Sequence, residues 1–250
     1  MSETILFQQK DGIATLTFNN SSRRNALGVR ELDAIEVSLV ALSEGTRVLI
    51  ITSSDDRTFC SGADLSQILN GSLKGERFQS VTNKIASLSI PTIAAVNGNV
   101  FGGGMELVLS CDFRLGREGL LMRIPAGALG LCYPVEGIQR LTRRLGVNLA
   151  KRVLVGAETF TAEQALSLGM IESLYPAETL SSAVRSYAES LLALAPMAMN
   201  AMLVIIRQLE IGAYDPVEAE ALSEKCAKSD DIKEGIRALK EKRAPIFKGC

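Results

Sequence analysis

The chain has 250 residues, 47% of them hydrophobic, enough to bury a sizeable core as one large domain or a domain plus an appendage. Its net charge of −1, with no basic block, supplies no field that would favour nucleic acid or anionic lipid. There is no histidine, which removes the Ser–His–acid and Cys–His machineries and the imidazole metal site; acid–base chemistry is left to carboxylates, Tyr, Lys, Cys or backbone dipoles.

In chain order, MSETILFQQKDGIATL has neither the basic start nor the long apolar stretch of a signal peptide. ILFQQ and IATLTF flank Asp11-Gly12 and predict a β-hairpin. Apolar residues from Leu27 through Leu32, Ile35 and Leu39 have helical spacing. Arg47–Ser53, RVLIITS, is a continuous β-branched run expected of a strand buried on both faces. DDRTFCSGADLSQI brings polar and glycine signals before a helix near Asp64, and a second helix from about Arg77 ends at Ile90-Pro91. PTIAAVNG predicts a further buried strand, followed by the glycine triplet, a Met105–Cys111 helix and a short DFRLG strand. This rhythm predicts an α/β layered core. Beyond about Asn148 the pattern is almost wholly helical, with Thr161 as an N-cap. AMNAMLVIIRQLEIGA is apolar nearly all round, so another subunit is the expected cover.

No apolar run reaches the length of a membrane span. Five cysteines with irregular spacing and no CxxC pair fit reduced thiols in a cytoplasmic protein. Cys111 and Cys132 are expected in the core, and the methionines in the core or along an acyl tunnel. The residues Gly98, Gly102, Gly103 and Gly104 do not form G-x-G-x-x-G, and no G-x-x-x-x-G-K-[ST] occurs, so no dinucleotide or P-loop site is expected. Three consecutive glycines before a helix carrying one acid, Glu106, fit either a tight turn or exposed N–H groups at a helix start, wanted for a developing negative charge.

RRNAL (Arg23–Leu27), FCSGADL (Phe59–Leu65), PTIAAVNGNVFGGGMELVLSCD (Pro91–Asp112), GIQRLTRRLG (Gly137–Gly146), TAEQALSLGMI (Thr161–Ile171) and EKRAPIF (Glu241–Phe247) occur in one order. On these six segments the chain resembles the crotonase (enoyl-CoA hydratase/isomerase) superfamily over nearly its full length. The resemblance implies a spiral of repeated ββα units. It implies an acyl-CoA-binding core over residues 1–195 and a helical trimerisation region over 196–250, giving homotrimers or dimers of trimers. It implies lyase chemistry on acyl-CoA thioesters, in fatty-acid or related metabolism, with coenzyme A as part of the substrate and no cofactor or metal. It also implies an oxyanion hole from the N–H groups of Ala63 and Gly103, the latter bare of a Cβ so that a thioester can lie against the main chain. Glu106 matches the acid of GGGxE. Arg24, Ala26, Asp64 and Leu65 match positions lining the nucleotide end of CoA, and Lys242 a basic residue that reaches CoA, often across a subunit boundary.

One departure bears on the reaction. Family hydratases use a second glutamate after a proline; here the proline is Pro125 and the glutamate's place is taken by Ala126, with Gly130, Gly137 and Gln139-Arg140 in register. Glu106 alone could serve as base and then acid through one water. Alternatively, LGLCYPVEGI resembles a methylmalonyl-CoA decarboxylase segment whose active-site tyrosine falls at Tyr133, although that enzyme has histidine where this chain has Ala63. Three readings follow: an enoyl-CoA hydratase-like lyase, a decarboxylase or other enolate-forming relative using Tyr133, and a catalytically weak acyl-CoA-binding oligomer. Glu136, nearby in sequence, replaces a family glycine.

Overall fold

The structure is a computed structural model that describes residues 3–250; Met1 and Ser2 of the N-terminal segment lie outside the described residues. In chain order the strands and helices are β1 (Ile5–Lys10), β2 (Ile13–Phe18), α1 (Val29–Val40), β3 (Val48–Ser53), β4 (Thr58–Cys60), α2 (Leu65–Leu69), α3 (Gly75–Ala86), β5 (Thr92–Val96), β6 (Asn99–Phe101) and α4 (Gly103–Ser110). There follow β7 (Phe113–Arg117), β8 (Leu121–Arg123), α5 (Val135–Leu154), β9 (Thr159–Thr161), α6 (Ala162–Ser167), β10 (Ser173–Tyr175), α7 (Ala177–Leu192), α8 (Pro196–Ile211), α9 (Pro216–Lys228) and α10 (Asp230–Glu241).

The strands sort into two sheets. A six-stranded sheet runs β1-β2-β3-β5-β7-β10 and a four-stranded one runs β4-β6-β8-β9. Each successive pair, β3/β4, β5/β6 and β7/β8, places its first strand in the large sheet and its second in the small one, then enters a helix. This is the repeated ββα unit of the expected spiral. Among the described residues β1 pairs with β2 and β9 with β8 in antiparallel fashion, and the other pairings are parallel, as helical crossovers require. Asp11 and Gly12 both take positive φ, +51° and +78°, giving the tight turn that the Asp-Gly pair predicts.

The continuous apolar runs are explained by cores on both faces of the large sheet. Leu16, Leu49, Ile51, Ala94 and Val96 pack with Leu32, Ile35, Val81, Ile85 and Leu107 of α1, α3 and α4. Their neighbours Ile13, Val48, Ile50, Ile93 and Ala95 pack with Leu180, Val184, Ala188 and Leu191 of α7. Phe18 of the large sheet meets Phe59 of the small one edge to face at 5.4 Å.

The region beyond Asn148 is almost wholly helical as expected, interrupted by β9 and β10, each of three residues and too short to carry a pattern. Two expectations need correction. The DDRTFCSGADL stretch contains a buried strand, β4, that joins the small sheet. Cys132 is exposed rather than in the core, since it lies on the loop before α5. Thr161 does cap α6, its hydroxyl accepting the Gln164 N–H. Among the described residues, no single helix is long and apolar enough to cross a membrane.

Candidate active site

Each glycine of the triplet answers a different local demand. Gly102, the residue before α4, has φ +55° and ψ −130°, a conformation in which a side chain is strained. A Cβ on Gly104 would come within 2.7 Å of the Cys60 carbonyl oxygen, so α4 can press on β4 only with a bare backbone there. At Gly103 the missing Cβ is where the Phe78 ring sits, 2.6 Å from its nearest carbon. The space beside Gly103 that a Cβ would fill therefore accommodates the tip of an aromatic side chain of α3.

The loop Ser61–Ala63 is pressed against this turn just as closely. A Cβ on Gly62, itself at φ +87°, would fall 2.5 Å from the Gly103 nitrogen. Ala63 is held in a parallel bridge with Leu27: the Leu27 N–H donates to Gly62 O at 2.8 Å and the Asp64 N–H to Leu27 O at 3.0 Å. That pairing uses the peptide groups on either side and turns the Ala63 N–H the other way. Among the described residues neither the Ala63 N–H nor the Gly103 N–H has a hydrogen-bond partner, and both residues line one cavity of about 120 Å³. An amide pair of this kind, beside the N-terminus of a two-turn helix, can receive an oxygen that gains negative charge.

Glu106 stands on the first turn of α4 at 1% exposure and is the single acid in the cavity wall among the described residues. The Tyr133 hydroxyl donates to its Oε2 at 2.9 Å and the Thr82 hydroxyl to its Oε1 at 3.2 Å. The Arg140 Nε lies 3.8 Å from Oε1. Burial pushes the Glu106 carboxyl above the usual carboxylate range, against the opposing pull of Tyr133, Arg140 and Thr82. Burial and the neighbouring Glu106 charge push the Tyr133 phenol well above its ordinary value, so it stays protonated as a donor. A Cβ on Gly137 of α5 would lie 2.4 Å from the Tyr133 ring and 2.7 Å from Glu106 Oε2; only a glycine lets α5 seat both groups.

Beside the polar Ser61 and Gln79, the rest of the wall is mostly apolar: Leu65, Ile68, Phe78, Ile124, Pro125, Ala126, Leu129, Leu131 and Pro134. Ala126 is 5% exposed and supplies no second acid, and Glu136 points away from the cavity to an exposed bond with Asn83. The buried Cys60 and Cys111 thiols are pushed up to about 12 by burial and cannot serve as thiolates. No methionine lines the cavity among the described residues.

The residues matched to a CoA grip are distributed differently. Arg24 and Ala26 run beside the cavity's edge, the Arg24 carbonyl accepting the Ser61 N–H at 3.1 Å. The side chain of the intervening Asn25 is buried, bonded to Ser53 Oγ and Thr58 O at 2.8 Å each, and fixes this strip. Asp64 is committed as the N-cap of α2 and paired with Arg23 at 2.8 Å, while Leu65 is half exposed at the cavity mouth. Lys242 ends α10 in an exposed left-handed conformation, outside the cavity wall of its own chain. Gln79 and Thr82 escape the sequence reading, as do the part of Phe78 in the wall and the close contact of Gly137 with Tyr133 and Glu106. The available signal was two polar residues, Gln79 and Thr82, at buried positions of α3 between Phe78, Val81 and Ile85.

The sequence model of the enoyl-CoA hydratase/isomerase family matches residues 8–250. The chain is 31% identical to the crotonyl-CoA hydratase of Syntrophomonas wolfei over 98% of both chains. It is 33% identical to the mitochondrial methylglutaconyl-CoA hydratase of Mus musculus, over 98% of this chain and 82% of that one. Among solved structures, a family protein from Hyphomonas neptunium superimposes with a TM-score of 0.91 at 30% identity, covering 99% and 98% of the two chains. The enoyl-CoA hydratase of Bacillus anthracis does so with a TM-score of 0.89 at 27% identity, covering 99% and 100%.

Proposed function

The chain belongs to the enoyl-CoA hydratase/isomerase family of enzymes, the crotonase superfamily, and from that premise we propose that it is a hydratase-like lyase of short enoyl-CoA thioesters. The observation that carries this reading is a buried, hydrogen-bonded Glu106 sharing one small apolar cavity with two unpartnered peptide N–H groups. In this mechanism the Ala63 and Gly103 N–H groups receive the thioester oxygen as it becomes an enolate, with the α4 dipole in support; losing one such donor costs roughly 10²–10³ in rate. Ionised Glu106 takes a proton from water as its oxygen bonds to C3, and the displaced electron pair moves to the thioester oxygen. Glu106, now the acid, returns a proton to C2 and is regenerated. Tyr133 and Thr82 fix the carboxylate's orientation throughout. Each carboxylate oxygen has a second lone pair, so both bonds leave room for the water.

A cavity this small accepts a short acyl chain, whereas pockets that hold a whole drug-sized ligand run to roughly 300–1,000 Å³. The nucleotide of CoA lies outside it, along Arg24–Ala26 and Asp64–Leu65, with Lys242 contributed by a neighbouring subunit. Coenzyme A enters as part of the substrate, and the proposed chemistry asks for no further cofactor. Residues 196–250 supply the trimerisation surface: Met202, Ile206 and Leu209 of α8 are 58%, 58% and 59% exposed in the single chain.

The test is loss of the conjugated absorbance of crotonyl-CoA. Glu106→Gln is expected to lower the rate by roughly 10²–10⁴. A second reading, decarboxylation with Tyr133 as proton donor, is favoured by the place of Tyr133 in the same cavity wall as Ala63 and Gly103 and by its protonated phenol. It predicts CO₂ from methylmalonyl-CoA, sensitive to Tyr133→Phe and indifferent to Glu106→Gln. Saturable thioester binding without turnover in either assay would identify an acyl-CoA-binding oligomer instead.

A further inference from the structure

Gln79 lies in the cavity wall at 6% exposure, and its carboxamide is idle. The amide nitrogen is buried with no partner, and among the described residues Gln79 accepts a bond only at its backbone carbonyl. A buried carboxamide with nothing to bond is uncommon in folded proteins because its desolvation goes uncompensated. Its neighbours fix its position: Gln79 and Thr82 lie one turn apart on α3, and the Thr82 hydroxyl is 3.1 Å from the Gln79 carbonyl oxygen and 3.2 Å from Glu106 Oε1. Of the other polar side chains in the wall, Tyr133 and Glu106 hold each other, and Ser61 is only half-buried.

A carboxamide offers a donor and an acceptor on one head. Of the groups that hydration of an enoyl thioester brings to the acyl end of this cavity, water and the product hydroxyl match both at once, whereas an alkyl chain matches neither. We propose that Gln79 holds the water that adds to the acyl double bond, and the β-hydroxyl which that water becomes, taking over the orienting role for which Ala126 has no side chain. The inference rests on the hydratase reading of Glu106. The steps balance without a second acid. Glu106 removes one proton from the held water, the water oxygen bonds to C3, the π pair moves to the thioester oxygen, and the proton on Glu106 passes to C2. Gln79 neither gains nor loses a proton; it positions the nucleophile, and misplacing a reacting group by about 1 Å costs on the order of 10² in rate.

The experiment compares wild-type protein, Gln79→Leu and Gln79→Glu in two assays: hydration of crotonyl-CoA, and exchange of the α-hydrogens of butyryl-CoA in D₂O followed by mass spectrometry. Exchange needs Glu106 and the enolate but no added water. Gln79→Leu is expected to lower hydration kcat about 100-fold with KM little changed, while exchange stays within about twofold of wild type. Gln79→Glu, equal in length and still an acceptor, is expected to hydrate at least about tenfold faster than Gln79→Leu. Undiminished hydration by Gln79→Leu overturns the proposal and leaves the hydratase reading intact, as does parallel loss of hydration and exchange in that variant. Wild-type protein that exchanges but does not hydrate also overturns it, whereas wild-type protein inactive in both assays removes the hydratase reading itself.

Discussion

In the proposed mechanism Glu106 is a charged base in a place that disfavours charge. Burial raises its carboxyl pKa, and Tyr133, Arg140 and Thr82 only partly offset that. Two consequences follow in pH. The base form disappears as pH falls through a folded-state pKa above the usual carboxylate range, so the acid limb of kcat/KM is displaced upward. The ionised form also costs stability, a cost absent below the unfolded pKa of about 4.3 and fully present once pH exceeds the raised folded value. Glu106→Gln is therefore expected to raise Tm at pH 8, with the gain vanishing toward pH 4; thermal unfolding at the two pH values checks it. An unchanged or lowered Tm at pH 8 would contradict the electrostatic account. At this scale the sequence pointed to Glu106 and Tyr133 through their motifs, but not to their contact, because 27 residues separate them. Gln79 and Thr82 were hidden for another reason: a polar residue inside an amphipathic helix reads as surface until its neighbours show that it is buried.

The elements divide into those whose pattern is local and those whose reason is tertiary. The β1–β2 hairpin, β3, β5 and the α6 cap were legible because a turn dipeptide, a β-branched run or a capping residue states the structure within a few positions. β4 and β10 were not, since three-residue strands are defined by the partners they meet, Asn99–Val100 for β4 and Leu115–Arg117 for β10. The attachment of α8 was likewise invisible. Arg207 Nη2 donates to both oxygens of Asp112 at 2.9 Å each and Nη1 donates to the Leu88 carbonyl, while Asp112 accepts the Thr92 N–H and hydroxyl. With both side chains largely buried, Arg207→Met leaves Asp112 uncompensated and is expected to cost about 3 kcal/mol. Urea unfolding measures this, and kcat at 25 °C is expected to hold because the pair lies outside the cavity wall. Destabilisation of the Arg207→Met, Asp112→Asn double variant equal to the sum of the singles would show that the pair does not couple.

At the scale of the molecule, the spiral of ββα units places the Ser61–Asp64 loop and the start of α4 side by side, so residues 40 positions apart in sequence present their free amides to one cavity. The architecture was legible because six short segments occur in one order; the cavity's size and its aromatic cover by Phe78 were not, since they depend on how α3 settles against Gly103. The exposed apolar face of α8 carries the proposal of a trimer or a dimer of trimers. Light scattering is expected to return three or six chain masses, and Ile206→Glu with Leu209→Glu is expected to return one; a monomeric wild-type protein would contradict it. The most direct test of the account is a crystal structure with a bound CoA thioester. The thioester oxygen is predicted to lie about 3 Å from both the Ala63 and the Gly103 nitrogen, with C2 facing Glu106. A thioester oxygen bonded elsewhere, or to one of the two amides alone, would contradict the mechanism.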